Sequence, residues 1–316
     1  MTRKRRKKKR NLHITIILIV LAFLYGLYFN EINKTFALMY DQYGNAIKEN
    51  SLEETPQEIS QENNLKIYYL DVGQADSILI NCNNEYMLID AGNNNDGPLL
   101  VKYFQELGIN NFKYLVATHP HEDHIGGLDD IINNFSINTI YIPDVITTTR
   151  TFEDLLDAID KKNLTYTVPK IDSTFTLNEA NIKVIHTSTD ESDLNNTSIV
   201  LKMTYKNTSY LFTGDATNIT EKKILNKDIA ADVLKIGHHG SKYSTTDDFL
   251  KKVSPKYAII SVGKSNKYSH PGLATIDRLK KYNIKTYRTD QNGTILLTSN
   301  GYNINITNIK TNTNGG

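Results

Sequence analysis

The chain has 316 residues, of which 39% are hydrophobic and 22% charged, so it is long enough to bury a full globular core. It carries 36 Lys and Arg against 35 Asp and Glu, but eight of the basic residues form the run RKRRKKKR at residues 3–10. The rest therefore has 28 basic against 35 acidic residues, a net charge of −7, which argues against a broad basic groove for nucleic acid. Cys82 is the only cysteine, so an intramolecular disulfide is excluded.

Residues 12–29, LHITIILIVLAFLYGLYF, contain no Asp, Glu, Lys or Arg, and this length is just enough to span a bilayer as a helix. Tyr25, Tyr28 and Phe29 lie at the far end, as in an interfacial aromatic belt. A cleaved signal peptide is the alternative, but no A-x-A-like cleavage site lies near that end. The sequence therefore predicts a single-pass cell-membrane anchor, with a basic cytoplasmic tail at residues 1–11 and the rest of the chain extracellular.

Residues 30–64 are mostly polar and predict a solvated tether, whereas residues 65–310 predict one mixed α/β domain. The β-rich runs are KIYYLDV, SILIN, YMLID, KYLVATH, IVLKMTY, SYLFTGD, ADVLKIG, YAIISVG and TILLTS. The helix-like stretches between them are GPLLVKYFQELG, LDDIINNF, TFEDLLDAIDKK, ATNITEKKILNK, TTDDFLKKVS and LATIDRLKKYN. Runs such as YLVAT and YAIISV are apolar throughout, which is typical of strands covered by helices.

Polar residues follow three of the predicted strands at the point where each strand ends. His119 follows KYLVAT, Asp215 follows SYLFTG and His238 follows DVLKIG. A rigid sheet aims such loops at one edge, where α/β folds usually carry their sites. We therefore expect these three residues to contribute to one site.

The segment HPHEDH at residues 119–124 is a dense group of metal-ligand side chains. Alternate residues of an extended loop can point the same way, so His119 and His121 can reach one ion, while Asp123 and His124 can reach a second. Imidazole and carboxylate groups suit Zn²⁺, Mn²⁺ or Fe. The Gly-Gly pair that follows permits a tight turn into the next helix. A polar surface loop is the alternative interpretation.

Four motifs resemble those of the metallo-β-lactamase superfamily and occur in the family's order. They are LIDAG with Asp90, HPHEDH, FTGDA with Asp215, and KIGHHGS with His238 and His239. The resemblance implies an αββα sandwich of two mixed β-sheets flanked by helices, and two divalent metal ions, Zn²⁺ or alternatively Mn²⁺. It also implies that Asp90 orients the metal-binding loop, that Asp215 bridges the ions, and that one His of the HHGS pair is a ligand. Strand alignment favours His238 and loop geometry favours His239, with the other as a substrate contact or proton donor.

Further motifs resemble the extracellular hydrolase domain of ComEC-type competence proteins over about residues 65–300. They are YLDVGQADSILI, TGDA, HHGSKYSTT, YSHP and YRTDQNGTILLTS. The sequence has no counterpart of the multi-helix channel of those proteins, and one predicted anchor stands in its place, so transport is not implied. The resemblance implies degradation of one strand of DNA, with a separate competence machinery as the partner.

The stretch between HPHEDH and TGDA departs from the superfamily pattern, which usually supplies another His ligand there. His186 is the only histidine in this stretch, and its strand-like surroundings, NIKVIHTS, indicate a structural role. The position that faces the site is then Asn195 or Asn196 of NNTSIVL, and asparagine is a weak ligand for zinc. Weaker occupancy of the first metal position is expected.

Other polar residues are expected around the metal ligands. Gln74 and Asp76 of GQADS are candidates to hydrogen-bond the metal-binding loop, with a turn or helix N-cap as the alternative. The resemblance places His270 of SHPG at the mouth of the site, in contact with substrate phosphate. Ser241 and Lys242 follow the HHGS histidines and suit a phosphate, or else cap the next helix.

These features together predict a metal-dependent hydrolase, in which a metal-bound hydroxide attacks a phosphodiester, Asp123 or Asp215 moves the proton and His270 contacts the substrate. The substrate is DNA or a small phosphodiester, and the acidic body favours the small ester. Two alternatives stay open: a phosphocholine-type esterase of a surface polymer, and a non-catalytic surface binding module stabilised by metal.

Overall fold

The computed structural model describes residues 64–189 and 192–309. These residues form fifteen β-strands, eight α-helices and two short 3-10 helices. No helix within these two ranges is long and apolar enough to cross a membrane. The predicted tail at residues 1–11, the predicted anchor at 12–29 and the tether up to residue 63 lie outside the described residues.

Eight strands form the first sheet: β1 (Leu65–Tyr69), β2 (Ser77–Cys82), β3 (Glu85–Ala91), β4 (Asn111–Val116), β5 (Ser136–Tyr141), β6 (Tyr166–Thr167), β14 (Thr294–Ser299) and β15 (Ile304–Ile309). Their order in the sheet is β15-β14-β1-β2-β3-β4-β5-β6. Pairing is antiparallel from β15 to β3 and parallel from β3 to β6, so the sheet is mixed.

Seven strands form the second sheet: β7 (Thr174–Leu177), β8 (Ala180–His186), β9 (Val200–Tyr205), β10 (Thr208–Phe212), β11 (Val233–Lys235), β12 (Tyr257–Ile260) and β13 (Lys285–Arg288). Their order is β13-β12-β11-β10-β9-β8-β7. Pairing is parallel from β13 to β10 and antiparallel from β10 to β7, so this sheet is mixed as well.

The helices cover the outer faces of the two sheets. They are α1 (Gly97–Glu106), α2 (Glu122–Ile125), α3 (Leu128–Asn134), α4 (Arg150–Lys161), α5 (Asn218–Ile224), α6 (Asp247–Val253), α7 (Leu273–Lys281) and α8 (Thr289–Asn292). Helices α1, α3 and α4 share a core with the first sheet, and α5, α6 and α7 share one with the second. A third core fills the space between the sheets. The predicted αββα sandwich is confirmed.

Strand β2 shows how the sequence alternation produces these layers. Ile78 and Ile80 point into the core between the sheets, whereas Leu79 points into the core under the helices. Cys82, the last residue of β2, is 0% exposed and also lies between the sheets. Both faces of β2 are covered at Ile78–Ile80, and this stretch is therefore apolar on both faces.

All nine predicted β-rich runs contain a strand, and all six predicted helical stretches contain a helix. Four of the strands that the sequence did not predict, β6, β7, β13 and β15, are the outermost strands of the two sheets. Edge strands bury less of their surface, so their hydrophobic signal is weak. Strand β5, next to an edge, alternates buried and exposed residues and was likewise not predicted.

Candidate metal centre

Asp90, the next-to-last residue of β3, holds the metal-binding loop at residues 119–124 through hydrogen bonds. Its buried carboxylate accepts hydrogen bonds from the backbone N–H of Thr118 at 2.8 Å and from the Thr118 hydroxyl at 2.7 Å. Oδ2 of Asp90 also lies 2.7 Å from Nδ1 of His124. Because Nδ1 of His124 donates to this carboxylate, Nε2 is left free on the opposite side of the ring. The geometry is the loop-orienting arrangement that the family resemblance implies.

Gly126 and Gly127 let this loop pack directly on the chain after β3. A Cβ at Gly126 would lie 2.3 Å from backbone atoms of Asn93 and Asn94, and a Cβ at Gly127 would lie 2.5 Å from the carbonyl oxygen of Ala91. The backbone N–H of Gly126 also donates to the carbonyl of the LIDAG glycine at 2.9 Å. The absence of a side chain at these positions is therefore required by close backbone approach.

Four side chains from both halves of the sandwich converge on one point. Asp123 and His124 lie in α2, the short helix after β4, Asp215 lies in the loop after β10, and His239 lies in the 3-10 turn after β11. Ligand atoms of the four residues lie within 4.8 Å of one another. Nε2 of His239 lies 3.2 Å from Oδ2 of Asp123 and 3.6 Å from Oδ2 of Asp215, while Nε2 of His124 lies 3.3 Å from the other oxygen of Asp215.

His119 and His121 lie beside this group of four. Nε2 of His119 lies 3.0 Å from Nδ1 of His121, and the ring centroids of His119 and His124 are 4.2 Å apart. His119 is fully buried, and its Nδ1 lies 3.1 Å from the hydroxyl of Thr118. The structure thus brings together all of the ligands predicted in HPHEDH.

The residues present fit divalent metal ions. Among the described residues, Nε2 of His124 and Oδ1 of Asp215 are buried without a hydrogen-bond partner. Two unpartnered buried atoms facing each other are costly unless something else compensates them. Imidazole and carboxylate ligands suit Zn²⁺, Mn²⁺ or Fe.

When no metal is bound, His119 and His121 differ in charge from His239. Burial lowers the pKa of His119 well below its usual value, and burial also lowers that of His121. Burial opposes charge on His239 too, but Asp215 and Asp123 outweigh it and raise the pKa of His239 to about 10. The carboxylates of the centre are therefore compensated by protons on one side of the site, and a metal ion would replace them.

The HHGS histidines separate into two roles. His239 is buried, and its Nδ1 donates to the carbonyl of Ser261 at 3.0 Å, which leaves Nε2 towards Asp123 and Asp215. His238 is 25% exposed, and its Nε2 lies 3.7 Å from Asp215. Both histidines have a positive φ of 51°, so the chain does not continue the alternation of β11 here. The structure therefore groups His239 with the candidate ligands and leaves His238 at the mouth.

The stretch before TGDA gives different surroundings to the two asparagines that the sequence left open. The amide oxygen of Asn196 accepts hydrogen bonds from the hydroxyls of Thr217 at 2.7 Å and Thr220 at 2.9 Å, so this side chain braces the loop. Asn195, not Asn196, is the residue of this stretch whose side chain lies against His121, and its Oδ1 is buried without a hydrogen-bond partner. His186 is buried, and its Nε2 donates to the carbonyl of Asn196 at 3.1 Å, in keeping with the expected structural role.

Asp76 connects the metal-binding loop to a residue that sequence reasoning missed. Its backbone N–H donates to the carbonyl of Asp123 at 3.0 Å, and Oδ1 lies 3.4 Å from Nδ1 of His239. Oδ2 lies 2.7 Å from Nζ of Lys235, which is 0% exposed. Asp76 precedes a strand, so the helix N-cap alternative does not apply. A lysine in the apolar run DVLKIG was the available signal for Lys235.

Ser241 and Lys242 lie on the loop after the HHGS histidines. Ser241 is buried, and its hydroxyl accepts from the backbone N–H of Tyr243 at 3.3 Å. Lys242 is exposed, and its Nζ lies 4.9 Å from the ring centroid of Tyr243. The N-cap of α6 is Thr246, whose hydroxyl accepts from the backbone N–H of Phe249. Neither predicted residue therefore caps this helix.

His270 lies at the mouth of the centre. Its ring centroid is 5.4 Å from that of His238 and 5.7 Å from that of Tyr268. Gln74 accepts from the backbone N–H of Gly263 at 3.1 Å, and its Nε2 lies 3.4 Å from Nδ1 of His270. This orientation assigns Nδ1 as an acceptor and leaves the proton on Nε2. Burial, His238 and His239 lower the pKa of His270 to about 4.

The comparison with known families agrees with this arrangement. The family described as Metallo-beta-lactamase superfamily matches residues 70–264. The chain belongs to this superfamily. The match covers β2–β12, and thus every loop that contributes a candidate metal ligand.

Three similar proteins are competence or recombination proteins. ComE operon protein 3 of Bacillus subtilis (strain 168) is 31% identical over 247 residues, which cover 72% of this chain and 32% of that protein. Competence protein ComA of Neisseria gonorrhoeae is 28% identical over 240 residues, 74% of this chain and 32% of that protein. Recombination protein 2 of Haemophilus influenzae is 29% identical over 236 residues, 72% of this chain and 28% of that protein. This metallo-beta-lactamase chain thus spans about a third of the length of the curated relatives that it matches.

Proposed function

We propose that this protein is a metal-dependent phosphodiesterase with two divalent ions, Zn²⁺ or alternatively Mn²⁺. The observation that carries the proposal is the convergence of Asp123, His124, Asp215 and His239, whose ligand atoms lie within 4.8 Å of one another, with His119 and His121 beside them. In this assignment His119 and His121 would hold one ion, Asp123, His124 and His239 would hold the other, and the carboxylate of Asp215 would add negative charge to the centre. Asn195, at the position of the missing histidine, makes the first ion the weaker one.

The side chains divide the chemistry between them. When bound, the ions act as Lewis acids that lower the pKa of water towards neutrality and stabilise negative charge on the phosphate. Asp123 is partly exposed and lies at the edge of the centre, where it can take the proton of the attacking water. His270, with its proton on Nε2, can donate a hydrogen bond to a phosphate oxygen at the mouth.

DNA is the substrate that we favour. Two exposed tyrosines lie near the mouth, each beside a lysine: Nζ of Lys242 is 4.9 Å from the ring centroid of Tyr243, and Nζ of Lys267 is 5.1 Å from that of Tyr268. Exposed aromatic rings with neighbouring cations suit the bases and phosphates of a single strand. The competence relatives support the same substrate and a separate competence machinery as partner.

A small phosphodiester, or a phosphocholine-type ester on a surface polymer, is the second candidate. The net charge of −7 outside the basic run favours it, because a long polyanion would be repelled by such a body. Asn195 at the third-motif position favours a third reading, a non-catalytic binding module that keeps metal for stability. In all three cases we propose that residues 12–29 anchor the chain in the cell membrane and that residues 65–310 act outside the cell.

One preparation tests the proposal. The full chain, purified without chelator, is measured for bound metal by mass spectrometry and for hydrolysis of bis-p-nitrophenyl phosphate and labelled single-stranded DNA, with Zn²⁺ or Mn²⁺. Asp123→Asn is compared with Asp129→Asn, the same change at a partly exposed carboxylate outside the centre. We expect close to two metal ions per chain, and hydrolysis that only Asp123→Asn abolishes. Absence of both metal and turnover would contradict the proposal. Cleavage of the labelled DNA would favour DNA as the substrate, whereas hydrolysis of the small ester without cleavage of DNA would favour the second candidate.

A further inference from the structure

A lysine is buried between the two sheets at the end of β11. Lys235 is 0% exposed, and no other lysine or arginine within residues 64–189 and 192–309 is buried. Val233 packs in the core between the sheets, and Leu234 packs in the core under the helices. Because successive residues of a strand point to opposite faces, Lys235 points into the layer between the sheets, as Val233 does.

The ammonium group crosses this layer to the first sheet. Nζ lies 2.7 Å from Oδ2 of Asp76, directly before β2, and donates to the carbonyl of Ile236 at 3.0 Å. Oδ1 of Asp76 lies 3.4 Å from Nδ1 of His239. Lys235, Asp76 and His239 therefore form a continuous line of side chains that ends at the candidate metal centre.

Stability alone does not account for this ion pair. Two charges taken out of water lose their hydration, and replacing a buried pair with apolar side chains of similar size is often neutral or stabilising. An apolar residue at position 235 would continue the pattern of β11. A carboxylate behind a metal-facing histidine, by contrast, fixes the orientation of the ring and its ligand nitrogen.

We propose that Lys235 is a positioning residue for His239 and acts through Asp76. The inference rests on the proposed function, because it concerns a histidine assigned to a metal ion. The ammonium group holds Oδ2 of Asp76, which turns Oδ1 towards His239. Nδ1 donates to the carbonyl of Ser261, and the negative charge of Asp76, 3.4 Å from the same nitrogen, holds the ring so that Nε2 faces the carboxylates of the centre.

The test distinguishes the effect of losing the positive charge of Lys235 from the effect of a folding defect. Lys235→Met removes the cation and leaves a buried carboxylate, so it can fail to fold. The double variant Lys235→Met/Asp76→Asn keeps the shape and leaves no lone charge. The matched control is Lys202→Met/Asp228→Asn, which removes a 2.8 Å ion pair between β9 and the loop before β11, whose aspartate is 80% exposed. Each full chain is measured for its unfolding midpoint without metal, its Zn²⁺ affinity by competition with a chromophoric chelator, and its Co²⁺ absorption spectrum.

We expect the double variant to unfold near the wild-type midpoint but to bind Zn²⁺ about 10–100-fold more weakly, with an altered Co²⁺ spectrum. The control should keep wild-type affinity and spectrum. A double variant with wild-type affinity and spectrum would overturn the role of Lys235 and leave the proposed function standing. A wild-type chain that binds neither Zn²⁺ nor Co²⁺ would overturn the proposed function, and this inference with it.

Discussion

Asp90→Asn should weaken metal binding and stability, although the two side chains are nearly equal in size. Asp90 has a φ of 58°, a region that asparagine tolerates as well as aspartate, so the backbone is not perturbed. The amide oxygen can still accept from the backbone N–H of Thr118. The new NH₂ group then faces Nδ1 of His124, which lies 2.7 Å from the lost carboxylate oxygen. Two donors cannot pair, so a charge-assisted hydrogen bond in a buried site is lost.

The magnitude follows from the contacts. Loss of a hydrogen bond to a charged group costs about 1.5–3 kcal/mol, and the lower desolvation of a neutral amide offsets part of it. We expect the metal-free chain to lose about 1–3 kcal/mol in its free energy of unfolding. The ring of His124, whose Nε2 faces Asp215, also loses the carboxylate that fixes its orientation. Metal affinity should therefore fall about 10–100-fold as well.

Urea unfolding of the chelated chain and Zn²⁺ competition are the two assays. Asp172→Asn is a matched control, because Asp172 also has a positive φ, of 67°, but is exposed and paired only with surface lysines. It should change neither quantity measurably. If Asp90→Asn matched Asp172→Asn in both assays, the reasoning that Asp90 fixes the orientation of His124 would be refuted.

Three further predictions concern the metal-binding loop, the release of protons on metal binding, and His270 at the mouth of the centre. Gly126→Ala should destabilise the chain by about 1–3 kcal/mol in thermal unfolding, because its Cβ would lie 2.3 Å from backbone atoms; an unchanged midpoint would contradict this. Metal binding at pH 7 should release protons, because the raised pKa of His239, about 10, keeps it protonated without metal; affinity should therefore rise with pH. Calorimetry in buffers of different ionisation enthalpy measures the release, and buffer-independent heats would count against it. Gln74→Glu should move the proton of His270 from Nε2 to Nδ1, seen in its ¹⁵N ring shifts, whereas unchanged shifts would rule out the assigned orientation.

The sequence predicted what depends on local pattern. Apolar runs such as YAIISV identify central strands, and HPHEDH identifies the metal-binding loop without knowledge of the fold. The choice between His238 and His239 could not be made, because it depends on a positive φ that breaks the alternation of β11. The choice between Asn195 and Asn196 was open for the same reason, since the 3-10 turn at Leu194–Thr197 decides which side chain lies against His121.

The ion pair between Lys235 and Asp76 could not be predicted from the sequence, for a different reason. Lys235 and Asp76 are far apart in the sequence, and each alone has an ordinary explanation as a surface charge or a turn residue. Only the stacking of the two sheets brings them to 2.7 Å. The outermost strands were missed because half of their surface faces solvent and their composition resembles that of loops.

Cys82 can serve as a natural probe of local opening in this fold. It is the only thiol in the sequence, and it is sealed between the two sheets that together supply the candidate ligands. A thiol reagent can reach it only when the sheets part or the chain unfolds. The labelling rate of this one sulfur would therefore report how often the packing between the two sheets opens at this end of β2, without any added probe.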